Sequence, residues 1–96
     1  MFVQIINFRT SQYEAGRELV QEFQARTEGR RTVRRAVMCR DRDDPTNMFN
    51  VVFFDSYESA MQNSQLPVTQ EFSQRMMALG DGPPTFYNLD VLQDIG

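Results

Sequence analysis

The chain has no histidine, no tryptophan and no lysine. Without His, a Ser-His or Cys-His nucleophile system is excluded, as are His-ligated zinc and His-ligated haem iron. Cys39 is the single cysteine, so no intrachain disulfide can form, and the expected role is that of a buried small hydrophobe. All ten basic residues are Arg, which either supplies planar, permanently charged donors or reflects the codon usage of a GC-rich genome. No apolar run approaches the length of a membrane span, and Met1 leads into a strand-like segment without a basic n-region or cleavage site. A cytoplasmic protein with no membrane partner is expected. A net charge of -3 gives no global attraction to nucleic acid. Asp41, Asp43 and Asp44 lack EF-hand spacing, because Pro45 and Thr46 break the ligand series and no Gly follows, so no metal site is expected.

What is present fits one domain over residues 1–96, near the size at which a second copy often completes the core. Six of the seven residues from Met48 to Phe54 are apolar, three Phe and two Val among them, broken only by Asn50, which is the composition of a central strand covered on both faces. Asp55 and Ser56 stop that run, and Ser56 is an N-cap for a helix carrying Tyr57, Glu58 and Ala60. Phe2 to Phe8 is a second two-faced strand, interrupted by Gln4 and Asn7. From Tyr13 to about Thr27 the positions Tyr13, Leu19, Val20 and Phe23 form a helical stripe, which Gly29 ends. Glu22 and Arg26 stand there at i,i+4 spacing.

Arg31 to Arg40 reads as a polar edge strand, and Asp41 to Asn47 as the turn of an antiparallel hairpin. Pro67 opens another helix, with Val68, Phe72, Met76 and Leu79 on one face and Gly80 at its end. After the Asp81-Gly82-Pro83-Pro84 connector, Phe86 to Leu92 is a final edge strand. The order is that of an α+β, ferredoxin-like βαββαβ fold with a four-stranded antiparallel sheet and two right-handed crossovers. Strands 1 and 3 would be central. Helices cover only one sheet face, so a monomer would expose an apolar patch of several hundred Å² on the other. A homodimer packed sheet to sheet, forming a barrel, is the expectation.

The run Phe53-Phe54-Asp55-Ser56-Tyr57-Glu58-Ser59-Ala60-Met61, followed by Leu66-Pro67, Phe72 and the closing Phe86-Tyr87-Asn88-Leu89-Asp90-Val91, resembles the antibiotic-biosynthesis-monooxygenase-like domains of the dimeric α+β barrel superfamily. The resemblance covers nearly the whole chain, with Tyr57 where Trp is common. It implies the same dimeric fold and, among activities, either cofactor-free oxygenation in polyketide quinone tailoring or haem degradation. Asn7 falls on strand 1 where the haem-degrading enzymes carry a catalytic Asn. Their axial His and pocket Trp have no counterpart; Ser64, Gln70, Phe72 and Gln74 occupy the aligned region, so haem degradation is not expected.

The function expected from the resemblance is a monooxygenase that needs no cofactor and acts on a small aromatic or quinol bound between sheet and helices. Asn7 and Tyr57 would orient the substrate, and Arg75 or Tyr87 would stabilise an oxyanion. Phe53, Phe72, Met76, Met77 and Tyr87 would line the site. Each has a plainer reading: Asn7 satisfied by a neighbouring polar group, Tyr57 a core aromatic with a wet tip, Arg75 a surface partner of Glu71, and the apolar stripe ordinary core. A non-catalytic ligand-binding or assembly domain of the same fold is the alternative function. RNA binding, suggested by the Arg-rich segment from Arg26 to Arg42 and by Phe49 and Phe54, stands third, since the RNA-recognition signatures are missing from strands 1 and 3.

Overall fold

A computed structural model of the chain describes residues 1–30 and 32–96. The elements are β1 (Phe2–Arg9), α1 (Tyr13–Arg26), β2 (Val33–Arg40), β3 (Asn47–Phe54), α2 (Tyr57–Ser64), α3 (Pro67–Leu79) and β4 (Thr85–Asp90). The sheet order is β2-β3-β1-β4, with every pair antiparallel, so the two apolar strands are central and the two polar ones are edges. This is the expected ferredoxin-like fold. The Arg31 at the head of the predicted second strand lies outside the described residues.

Local chemistry sets the element ends. Ser56 caps α2, its hydroxyl oxygen accepting from the backbone N–H of Ser59 at 3.1 Å. Pro67 opens α3 in the first turn, where its missing N–H costs nothing. Gly29 takes φ +80 in the turn after α1, a left-handed conformation that suits glycine. Gly80 ends α3 with extended backbone, and the Asp81 N–H then donates to the Arg9 carbonyl at 2.8 Å, tying the connector to the end of β1. β4 stops at Asp90, two residues before the expected end; Val91 adds one bond, its N–H donating to the Met1 carbonyl, and Leu92 projects into solvent.

Register fixes which side chains face the helices, because a strand alternates faces at every residue. Phe2, Ile6 and Phe8 of β1, with Met48, Asn50, Val52 and Phe54 of β3 and Phe86 of β4, face the helices. Phe2, Val52, Phe54 and Ala60 form the core under α2, each nearly inaccessible to water. Burying a Phe of this kind contributes about 2 kcal/mol. Val3, Ile5, Asn7, Phe49, Val51 and Phe53 face the other way, with Tyr87 and Leu89 beside them and no helix covering them. Cys39 pairs in register with Phe49 on that face and is exposed, contrary to the burial expected of it; an edge strand on an uncovered face gives a thiol no shelter.

Helices α1 and α3 run antiparallel and lock together by a stack of Phe23 on Phe72, centroids 4.4 Å apart and rings 26° from parallel. Ion pairs Arg75–Glu22, at 2.7 Å, and Arg26–Glu71 flank the stack. The i,i+4 partners expected within each helix thus exchange across the interface. All four side chains are close to half exposed, so each pair is worth at most about 1 kcal/mol.

Candidate functional site

Between the sheet and the α1–α3 pair lies a cleft with two open lobes. The first has a cavity volume of about 80 Å³ beside Phe8, Tyr13, Gly16, Arg17, Met48 and Leu79 and opens to solvent. The second has a cavity volume of about 100 Å³ beside Ile6, Asn50, Phe72, Ser73, Met77 and Phe86 and is likewise open. Phe8, Val20, Met38 and Met76 belong to both and form a waist between them. Two of the four are methionines, whose flexible thioethers adapt to a flat guest. Met77 and Phe86 are more than half exposed at the second mouth, presenting apolar surface where a ligand would enter.

The sequence-predicted residues divide sharply. Phe72, Met76 and Met77 line the cleft. Phe53 and Tyr87 do not: Phe53 stands opposite Val3 and Tyr87 opposite Ile5, on the uncovered face. Their immediate neighbours Phe54 and Phe86 are the ones that face the helices, a shift of one residue that a period of two turns into a change of face. Asn7 is on the uncovered face too. Its Nδ2 donates to Asn47 Oδ1 at 2.8 Å and to the Met48 carbonyl at 2.9 Å, and Asn47 in turn donates to Asp41 Oδ2 at 3.2 Å. The plainer reading of Asn7 is therefore the one that its geometry fits.

Tyr57 packs edge-on against Phe2 at 5.5 Å and is half exposed, outside the cleft. Phe2 and Asn7 lie five residues apart along β1, about 16 Å at the usual strand rise. Arg75 faces a shallow surface beside Ala15, Glu18 and Glu22, where Glu22 holds its guanidinium. Asn7, Tyr57 and Arg75 thus occupy three separate environments and share no cavity.

Asn50 is the residue that the sequence reading passed over. It pairs in register with Ile6 and projects from β3 into the second lobe, and its side-chain amide has no hydrogen-bond partner among the described residues. The one polar residue inside the apolar Met48–Phe54 run was the available signal. Ser73, from α3, is the other polar side chain of that lobe. In the first lobe the Thr10 hydroxyl is committed, donating to the Leu79 carbonyl and accepting from the Gln12 N–H, each at 2.9 Å. The Tyr13 phenol and the Arg17 guanidinium remain. No group of three His, Cys, Asp or Glu among the described residues could hold a metal ion, and no helix is long and apolar enough to cross a membrane.

The strongest electrostatic feature lies away from the cleft, in the β2–β3 loop. Asp44 is held down to about 2, chiefly by hydrogen bonding to Arg9 and then by the Thr46 hydroxyl and N–H. Asp41 is lowered by the Asp43 N–H and the Asn47 amide, and Asp55 by the Arg34 guanidinium.

No protein-family model matches the chain, and no curated protein matches it by sequence. Solved structures match it in fold. SnoaB, a cofactor-independent oxygenase from Streptomyces nogalater solved as an asparagine-to-alanine mutant, has a TM-score of 0.80 at 11% identity, over 98% of this chain and 96% of its own. Rv0793 from Mycobacterium tuberculosis has a TM-score of 0.80 at 14% identity, over 99% and 98%. A structure named antibiotic biosynthesis monooxygenase has a TM-score of 0.78 at 12% identity, over 97% and 100%. The chain has the fold of the antibiotic biosynthesis monooxygenase structures, an α+β ferredoxin-like architecture.

Proposed function

We propose that the cleft between the sheet and α1–α3 binds a small, flat, electron-rich aromatic molecule, and that the protein oxygenates it without a cofactor. The observation that carries this reading is Asn50, an unpartnered amide on the strand wall of a mostly apolar lobe. In such surroundings an amide donor is electrostatically stronger toward a ligand oxygen than it would be in water. Phe72, Met76 and Phe86 supply the apolar walls. Donation from Asn50 Nδ2 to a phenolate oxygen would stabilise the ionised ring, the form that most readily gives up electrons. Passage of a phenol to a quinone needs no reductant: the hydroxyl and one ring carbon each lose a hydrogen, one oxygen atom becomes the new carbonyl, and the other leaves as water. The fold likeness to a cofactor-independent oxygenase supports the same reaction class.

Incubation with 1-naphthol under isotopically labelled dioxygen tests the reading. Naphthoquinone carrying one labelled oxygen, formed only with protein and reduced about 100-fold in Asn50→Ala, is expected. Absence of protein-dependent quinone would remove it. One feature favours a second reading, a binding domain without chemistry: the second lobe holds no acid or base. That reading predicts naphthol binding with no quinone.

The quaternary state belongs to the same proposal. Val3, Ile5, Phe49, Val51, Phe53 and Leu89 form a continuous apolar face with no helix over it, and a second copy offers the matching surface for a sheet-to-sheet homodimer. We place the protein in the cytoplasm on the strength of its lone, exposed and unbridged cysteine.

A further inference from the structure

The two mouths of the cleft differ in charge. The second is apolar, at Met77 and Phe86, whereas the first is rimmed by arginine. Arg17 lines the first lobe directly, and its partner is Glu14 at a long 3.6 Å, with both side chains largely exposed. Arg40 stands opposite Met48 in register, hence on the cleft side of β2. Its guanidinium lies 5.1 Å above the ring of Tyr13, itself a lobe-lining residue.

These two cations are the arginines placed at the cleft; Arg30, Arg35 and Arg42 also lack a carboxylate partner among the described residues but do not line it. Arg9, Arg26, Arg34 and Arg75 each hold a carboxylate closely: Asp44, Glu71, Asp55 and Glu22. Arg40 has no carboxylate partner among the described residues, although acids outnumber bases by 13 to 10. Of the three acids that follow it in sequence, two are engaged elsewhere, Asp41 by the Asp43 N–H and Asn47, and Asp44 by Arg9 and Thr46. One apolar cavity therefore ends in two weakly compensated guanidinium groups and a phenol.

Taking the cleft as the ligand site, on which this inference rests, we propose that its ligand is an aromatic acid. The ring system lies across the Met38–Met76 waist, and the carboxylate meets Arg17, Arg40 and the Tyr13 hydroxyl at the first mouth. Guanidinium binds carboxylate through paired N–H donors, which gives direction as well as charge, so the acid would also set which ring edge reaches Asn50.

The probes are 2-naphthoic acid and 2-naphthamide, alike in ring and size and different in charge, titrated by calorimetry. The acid is expected to bind about ten-fold tighter at low ionic strength, an advantage that shrinks with added salt. In the Arg17→Gln, Arg40→Gln double variant the two probes should bind within about two-fold of one another, with the affinity for the amide unchanged; Arg→Lys at both positions should keep most of the preference. Equal binding to the parent protein, a preference that survives in the Gln variant, or no binding of either probe would overturn the proposal. The two readings fail separately. Preferred binding of the acid with no oxygenation of 1-naphthol leaves the acid site standing and removes the oxygenase, whereas oxygenation without acid preference does the reverse.

Discussion

Asn7 and Asn50 stand one register step apart on adjacent strands, Asn50 opposite Ile6 and Asn7 opposite Phe49, and their amides point to opposite faces of the sheet. Asn7 is bonded to Asn47 and to the backbone of Met48, while Asn50 opens into the cleft. The two should therefore separate in mutants. Asn7→Ala is expected to lower the unfolding free energy by about 1–2 kcal/mol, because it leaves Asn47 Oδ1 and a strand carbonyl short of a donor. Asn50→Ala should change stability by no more than about 0.5 kcal/mol while weakening ligand binding. Urea unfolding of both variants checks this.

The uncovered sheet face gives a prediction about mass. The protein is expected to sediment at twice the 11.2 kDa of one chain at micromolar concentration, and Ile5→Asp or Phe53→Asp to shift it to the monomer by placing a charge in the apolar interface. A monomer mass for the unaltered chain would remove the dimer.

Much of this architecture was legible in the sequence, and the reason is physical. Strands apolar on both faces must be central, so β1 and β3 declared their places, and Ser56 and Pro67 marked helix starts by their hydrogen-bonding chemistry. The same two-faced apolarity hid the site. When both faces of a strand are apolar, nothing in the strand says which face the helices take, and Phe53 and Tyr87 were placed one residue out of phase. Asn7 did carry a hint, since it shares its face with Arg9, whose guanidinium reaches out to Asp44 in the β2–β3 loop. The end of β4 left no signal, because Val91 and Leu92 are as apolar as the strand before them.

Acid sensitivity should come from the loop and edge carboxylates. Asp44, at about 2, and Asp41 and Asp55, also lowered, have folded values below the ordinary carboxylate value. Their contribution is complete above the unfolded value near 3.9 and is lost as pH falls through the folded ones. Urea midpoints should accordingly be level from about pH 7 to 5 and fall between about pH 4 and 2. Asp44→Asn should flatten that fall. A midpoint that rises on acidification would contradict the assignment.

Gly16 is the fourth residue of α1, at the end of its first turn, facing Met76, and a Cβ there would meet Met76 Cε at 3.7 Å, an ordinary contact. Gly16→Ala is expected to stabilise the fold by about 1 kcal/mol through helix propensity. It would also narrow the first lobe, so a large aromatic acid should bind more weakly even as the melting temperature rises. Opposite signs of the two effects in one variant are the outcome to look for.

The central claim is that the ligand enters between sheet and helices and meets Asn50. Titration of the isotopically labelled protein with 1-naphthol, followed by two-dimensional amide NMR, tests it most directly. The account predicts progressive shifts at the Asn50 side-chain amide and at the backbone amides of Ser73, Gly80 and Gly82, which line the second lobe. It predicts no comparable shift at Asn7, Phe53 or Tyr87. Shifts confined to those three, with Asn50 unmoved, would put the ligand on the other face and contradict it.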